Sequence, residues 1–295
     1  MPIQSRYIPT LVALLLVAAP EFSAKAGQPD AGSVVFVGAG DIANCELIGG
    51  ARATAALLDD IPGEVFTLGD HAYLRGTDQE FKRCYDPTWG RHKARTHPTT
   101  GNHDYLTSRA RPYFEYFGAA AGPDQKGYYS FELGAWHIIS LNSSVTRILP
   151  EQMKWLQNDL ATHRNDCTLA YWHAPVFSSG PHGPDPTMRE TWSILYKAGV
   201  DVVLNGHDHI YERFAPQDDA GRKDPEHGVR EFIAGTGGGG VYKFGNIAPN
   251  SEVRDNTTYG VLKFTLSPGR YEWEFIGIPG SRFKDSGTAA CTPAH

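Results

Sequence analysis

The 295-residue sequence predicts an α/β protein, a mixed sheet system covered by helices. Short apolar, β-branched runs alternate with stretches that repeat apolar residues at helical spacing. Several of those runs end in carboxylate, carboxamide or imidazole residues, and the carboxyl ends of strands are where such sheets collect ligand sites. The connecting segments are rich in Gly, Pro and Asp, as surface loops are.

Val34–Val37 is the expected first strand. From Gly50 to Asp60, Ala53, Ala56 and Leu57 keep helical spacing until Pro62 stops the helix, and Glu64–Leu68 reads as the second strand. Tyr129–Leu133 and Trp136–Leu141 look like paired strands, Pro150–His163 is a helix with proline at its start, and Leu169–Trp172 is a strand running into His173. Asp201–Leu204 is a strand ending at Asn205-Gly206-His207. Arg230–Ala234, Tyr259–Leu266 and Arg270–Ile276 complete a strand-rich end, with Ser267-Pro268-Gly269 as a hairpin turn. The segments Pro181–Pro186, Gln217–His227 and Gly235–Asn250 are expected as surface loops near the site.

Arg6, the apolar run Leu11–Val17 and Ala24-Lys25-Ala26 read as an export signal over residues 1–26, cleaved after Ala26. The run is too short to span a bilayer, so no membrane span is expected after cleavage. Residues 27–295 then form one catalytic domain. A net charge of −6 offers no basic surface for a standing nucleic-acid partner. The four cysteines are an even set in an oxidising compartment, which favours disulfides. Cys45 and Cys84 each closely follow a ligand-bearing segment and so should lie on neighbouring loops, which pairs them and leaves Cys167 with Cys291.

Four segments carry the chemistry: Gly40-Asp41, Gly69-Asp70-His71-Ala72-Tyr73, Gly101-Asn102-His103-Asp104 and Gly206-His207-Asp208-His209. Carboxylate, phenol, carboxamide and imidazole groups suit two cations about 3.5–4 Å apart that activate a water between them. Asp70 is the candidate bridge, Asp41 a terminal ligand and Asn102 a neutral oxygen donor. The imidazoles of His173, His207 and His209 add to both shells, and these six still leave one cation a ligand short.

The order D-x-A, G-D-x-x-Y, G-N-H-D, a lone His before Ala-Pro, and G-H-D-H-x-Y-E-R, running from Val34 to Arg213, resembles the calcineurin-like metallophosphoesterases and, within them, the purple acid phosphatases. Ala43 stands where many relatives carry a histidine, and Tyr73 supplies a phenolate instead. The resemblance implies a four-layer α/β/β/α sandwich of two mixed sheets. It implies Fe(III) at Asp41, Asp70, Tyr73 and His209, and Fe(II), Zn or Mn at Asp70, Asn102, His173 and His207. It also implies an exported enzyme that hydrolyses small phosphate esters, with a phosphodiesterase or nucleotide hydrolase as the alternative.

In the resembled family the histidine at 103 faces the substrate, and an imidazole held by the Asp104 carboxylate would hydrogen-bond the developing phosphoryl charge or protonate the leaving alkoxide. His182 matches a substrate-side histidine less firmly and reads equally as a solvated loop residue. His71 is either an outer hydrogen-bond donor or a packing residue, and Tyr211-Glu212-Arg213 a salt-bridged strand that orients the ligands. Two competing classes carry less. Gly38-Ala39-Gly40-Asp41-Ile42-Ala43 fits a dinucleotide fingerprint, but Gly49-Gly50 breaks the helix it needs. A non-catalytic metal- or phosphate-binding protein should have lost ligands that this chain retains.

Overall fold

The computed structural model describes residues 32–292 except 164 and 166, together with Met1. Met1 aside, the expected export signal lies outside the described residues.

β1 (Val34–Ala39), β3 (Glu64–Leu68) and β5 (Thr96–Thr99) run parallel in one sheet, which continues antiparallel through β13 (Gly260–Ser267), β14 (Arg270–Gly277) and β15 (Ser286–Ala290) in the order β15-β14-β13-β1-β3-β5. The second sheet joins β6 (Tyr129–Leu133), β7 (Trp136–Ser140), β8 (Cys167–Tyr171), β9 (Val202–Asn205), β10 (Tyr211–Phe214), β11 (Arg230–Ala234) and β12 (Ser251–Asp255) in the order β12-β10-β11-β9-β8-β7-β6. Phe36, Phe66 and Phe264 of the first sheet pack with Ile138, Leu169 and Phe232 of the second in one core. The opposite face of the first sheet, with Val37 and Val65, is covered by helix Ile48–Asp59 and the aromatic-rich helix Arg111–Phe117. Ile139, Ala170 and Val203 carry helices Leu149–Thr162 and Arg189–Lys197 on the far side of the second sheet. The result is helix, sheet, sheet, helix. Central strands buried on both faces explain why β1 and β3 read as unbroken apolar runs.

β5 has no apolar run to announce it. Its sequence is Thr-His-Pro-Thr, and it lies at the sheet edge, where the missing proline N–H costs no ladder bond. β12 and β15 are polar or small-residue edge strands and equally silent. Gly49-Gly50 does not break the helix: both lie in its first turn, where a Cβ on Gly50 would stand 2.8 Å from Gly238 Cα. The dinucleotide fingerprint fails for another reason, since the two-residue strand β2 (Ala43–Asn44) intervenes before the helix and pairs with β4 (Ala72–Tyr73).

Both expected disulfides form. Cys45–Cys84 ties the segment after β2 to a short helical stretch, and Cys167–Cys291 ties β8 to the chain after β15. The loop Gln217–His227 packs on helix Arg189–Lys197 rather than at the site: Trp192 Nε1 donates to Asp218 O at 3.0 Å and Tyr196 OH to Asp224 Oδ2 at 2.9 Å. Residues 235–239 are buried, not surface, and a Cβ on Gly235 would come 2.1 Å from the Asp208 carbonyl oxygen.

Candidate metal centre

The carboxyl ends of β1, β3 and β5 in one sheet meet those of β8 and β9 in the other. They deliver Asp41, Asp70, Asn102, His173 and His207, with His209 just before β10. Asp41, Asp70 and His207 have left-handed backbones, with φ of 59°, 51° and 68°, a conformation that costs a non-glycine residue energy and is retained where neighbours over-determine it. Gly101 allows a close approach, since a Cβ there would lie 2.1 Å from Asp70 Oδ1.

The Tyr73 hydroxyl has one proton to give, yet Asp41 Oδ1 lies 2.8 Å away, Asp70 Oδ2 3.1 Å and His209 Nε2 3.0 Å. On the other side of Asp70, His173 Nε2 lies 3.3 Å from the same Oδ2, 2.9 Å from Asn102 Oδ1 and 3.2 Å from His207 Nδ1. Two sets of lone pairs converge and share one carboxylate oxygen. This donor set fits two cations, with Tyr73, Asp41 and His209 around one, Asn102, His173 and His207 around the other, and Asp70 between them. His173 is oriented from behind, donating through Nδ1 to Leu68 O at 2.6 Å, as a ligating imidazole ordinarily is.

The electrostatics point the same way. Burial opposes charge on Asp70 and Asp41, yet the neighbouring imidazoles outweigh it and hold both carboxyls below the usual range. Burial also opposes charge on His173, but Asp70 and then Asp41 raise it well above an ordinary histidine. Burial and the charge on His173 push His207 down to about 4, which leaves its lone pair available. Burial, Asp41 and Asp70 push the Tyr73 phenol well up, so it holds its proton unless a strong cation displaces it.

The groups around this centre are arranged differently from the expectation in one respect. Asp104 does not hold His103. Its Oδ2 accepts from His71 Nδ1 at 3.0 Å, Gly101 N at 2.9 Å and Asp70 N at 3.2 Å, and its Oδ1 from His71 N at 3.3 Å. Adjacent residues on a turn point apart, and the Asp104 carboxylate turns into the protein, fully buried. His103 instead donates through Nδ1 to Leu74 O at 2.6 Å and receives its position from its own N–H, bonded to Asp70 Oδ1 at 2.8 Å. Its Nε2, 4.0 Å from Asp70 Oδ2, is the ring atom that faces the centre. His71, fully buried, serves both expected roles: its Nδ1 bonds Asp104 and its Nε2 lies 2.7 Å from Thr67 Oγ1, while its ring packs among Tyr85, Tyr113 and Phe117.

His182 is exposed and stacks on His207 with ring centroids 4.4 Å apart. Its backbone N–H is held by Asp208 Oδ1 at 3.1 Å, and Ser178 Oγ anchors the other Asp208 oxygen. Glu212 and Arg213 are bonded away from the centre, Glu212 to Ser179 and Ser251 and Arg213 to Asp285. Sequence reasoning missed Tyr242, whose ring lies flat on His209 at 4.0 Å and 12°. The signal was an aromatic two residues after the Gly237–Gly240 run, a segment that closes on the Asp41 loop through Gly239 N to Asp41 O at 2.7 Å.

A two-layered sheet core with two cations' worth of donors at its strand ends defines a metallophosphoesterase class, and the family model for calcineurin-like phosphoesterases matches residues 34–211. The chain belongs to that family. Within it, its similarity is to purple acid phosphatases. Purple acid phosphatase 22 of Arabidopsis thaliana is 32% identical over 219 residues, 66% of this chain and 48% of that protein. Acid phosphatase type 7 of Homo sapiens is 29% identical over 184 residues, 52% and 41% of the two chains. The purple acid phosphatase PPD1 of yellow lupin superimposes with a TM-score of 0.70 at 18% identity, over 88% of this chain and 54% of that one, a likeness of fold. This chain thus spans about half the length of the curated relatives it matches.

Proposed function

We propose that the protein is an exported acid phosphatase that hydrolyses small phosphate esters at this centre. The observation that carries the reading is the single Tyr73 oxygen lying within 3.1 Å of Asp41, Asp70 and His209. A carboxylate, a bridging carboxylate, an imidazole and a phenol make a hard, anionic set suited to Fe(III), and the neutral Asn102, His173, His207 set suits Fe(II), Zn or Mn. Bound cations would supply charge neutralisation of the phosphoryl oxygens and a lowered pKa for the attacking water.

The chain's own residues do the rest. His103 commits its Nδ1 proton to Leu74 O, which directs Nε2 as the atom that protonates the leaving alkoxide. His182, seated on the outer face of His207, and Tyr242, on His209, frame the opening toward solvent. Buried Asp41, Asp70 and His173 keep water from the base of the centre, where each charge interaction is strengthened. Export is supported by the two disulfides, which persist in oxidising compartments.

Hydrolysis of p-nitrophenyl phosphate by protein reconstituted with iron, zinc or manganese, followed from acid to neutral pH, tests the reading. Turnover that vanishes with Asp70→Asn supports it. No turnover with any metal would leave a metal- or phosphate-binding protein. Hydrolysis of bis(p-nitrophenyl) phosphate in preference to the monoester would instead favour the phosphodiesterase reading.

A further inference from the structure

Beyond the metal centre, the turn that carries Asn102 and His103 continues into one wall of a cavity of about 250 Å³. The turn is closed by Tyr105 N on Asn102 O and Leu106 N on His103 O, both at 3.2 Å. Tyr105 and Arg109 form that wall, Asp124 and Lys126 a second, and Arg147 and Ile148 a third. Asn142 clamps the walls together: its Nδ2 donates to Tyr105 OH at 2.8 Å and Lys126 O at 2.9 Å, and its backbone pairs with the Gln152 carboxamide. Asn142 is itself fully buried in the folded protein.

The charge in this cavity is uneven. Lys126 is already paired, with Glu151 at 2.7 Å and Asp124 at 3.8 Å. Arg109 and Arg147 are exposed and make no ion pair among the described residues. Arg109 with its buried neighbour Ala110, and Asp124 with Gln125 on another wall, are consecutive non-glycine residues with φ of 57°, 49°, 56° and 54°. Backbone strain of this kind concentrates at ligand sites, where the surrounding structure over-determines it.

We infer that the cavity is a subsite for a second phosphoryl group on the substrate's leaving alcohol. The inference rests on the phosphoesterase reading above. With the scissile phosphate facing His103, a leaving group that follows the turn would pass Tyr105 toward Arg109 and Arg147, whose guanidinium groups would offer N–H donors to the oxygens of a second phosphate. Hydrolysis adds water across the scissile P–O bond, so the product alcohol keeps its other phosphate in the cavity.

Steady-state kinetics on metal-loaded protein tests this with α,ω-alkanediol bisphosphates of increasing chain length and the monophosphates of the same diols. At one chain length the bisphosphate should be preferred by about tenfold or more in kcat/KM, mostly through KM. Arg109→Ala/Arg147→Ala, checked for an unchanged Tm, should erase that preference. No preference at any length, or one that survives the double variant, overturns the proposal. Calorimetric titration of the same bisphosphates separates this from failure of the hydrolase reading, because it needs no turnover: equal affinity for wild type and double variant overturns the subsite even in an inactive protein. Inorganic phosphate bound at the arginines with no bisphosphate preference would likewise overturn it, as an anion site unconnected with the substrate.

Discussion

Asp104 Oδ2 stands 3.0 Å from His71 Nδ1, and the same oxygen accepts the N–H groups of Gly101 and Asp70. One buried carboxylate thus stitches the Asp70 loop to the Asn102 loop. Removing one partner of a buried, fully bonded pair costs about 3–5 kcal/mol. Asp104→Ala should lose stability of that order in denaturant unfolding and bind less metal. Asp104→Asn, which keeps one acceptor, should lose less. A stable alanine variant with full metal content would show that the loops hold each other without it.

Tyr73→Phe deletes one oxygen and keeps the ring that packs 4.7 Å from His103. Removing one partner of a buried hydrogen bond costs about 1–3 kcal/mol, a loss the domain tolerates while the ring keeps its packing. The variant should therefore fold, lose metal from the Asp41 and His209 side and lose the visible charge-transfer band expected of a ferric phenolate. Metal analysis with an absorption spectrum reads both, and a native spectrum would remove Tyr73 from the coordination shell.

His103→Asn should lower kcat by about 10²–10⁴-fold, the ordinary worth of a positioned general acid. Metal content should be unchanged, because the bond from residue 103 to Asp70 comes from the backbone N–H. Metal lost along with activity would place His103 among the ligands instead.

Glu231 gives a pH dependence away from the metals. Burial pushes its carboxyl well above the usual glutamate range, against the Phe177 N–H, and Glu212 adds to the shift. Its Oε1 accepts from Val176 N at 3.2 Å, while Oε2 has no partner. A raised folded pKa means the stabilisation is complete below the unfolded value, about 4.3, and is lost as pH rises toward the folded one. Glu231→Gln keeps the accepting oxygen and cannot ionise. Its stability relative to wild type should rise with pH, by up to about 1.4 kcal/mol per pH unit, from the unfolded value toward the raised folded one. Unfolding curves that run parallel for the two proteins would show that Glu231 is ionised throughout.

Much of the fold was legible because local pattern and burial agree. β3 and β11 lie where their apolar runs said, and helix Leu149–Thr162 starts beside Pro150. β5 was hidden because an edge strand needs neither an apolar face nor every N–H. Helix Arg189–Lys197 was hidden because its buried stripe is only Thr191, Trp192 and Leu195.

At the site, the types and order of the donors, from Asp41 to His209, were written in the chain, because ligand chemistry is a property of side chains and each sits next to its own strand. Which groups those side chains meet is a matter of loops brought together across the fold. Asp104 adjoins His103 in sequence, yet its partner is His71, 33 residues away, because the turn sends neighbouring side chains to opposite sides and only a buried carboxylate can satisfy the N–H groups gathered there. Tyr242 reaches His209, and Arg109 shares a cavity with Arg147, for the same reason: packing sets these distances, and no local pattern records them.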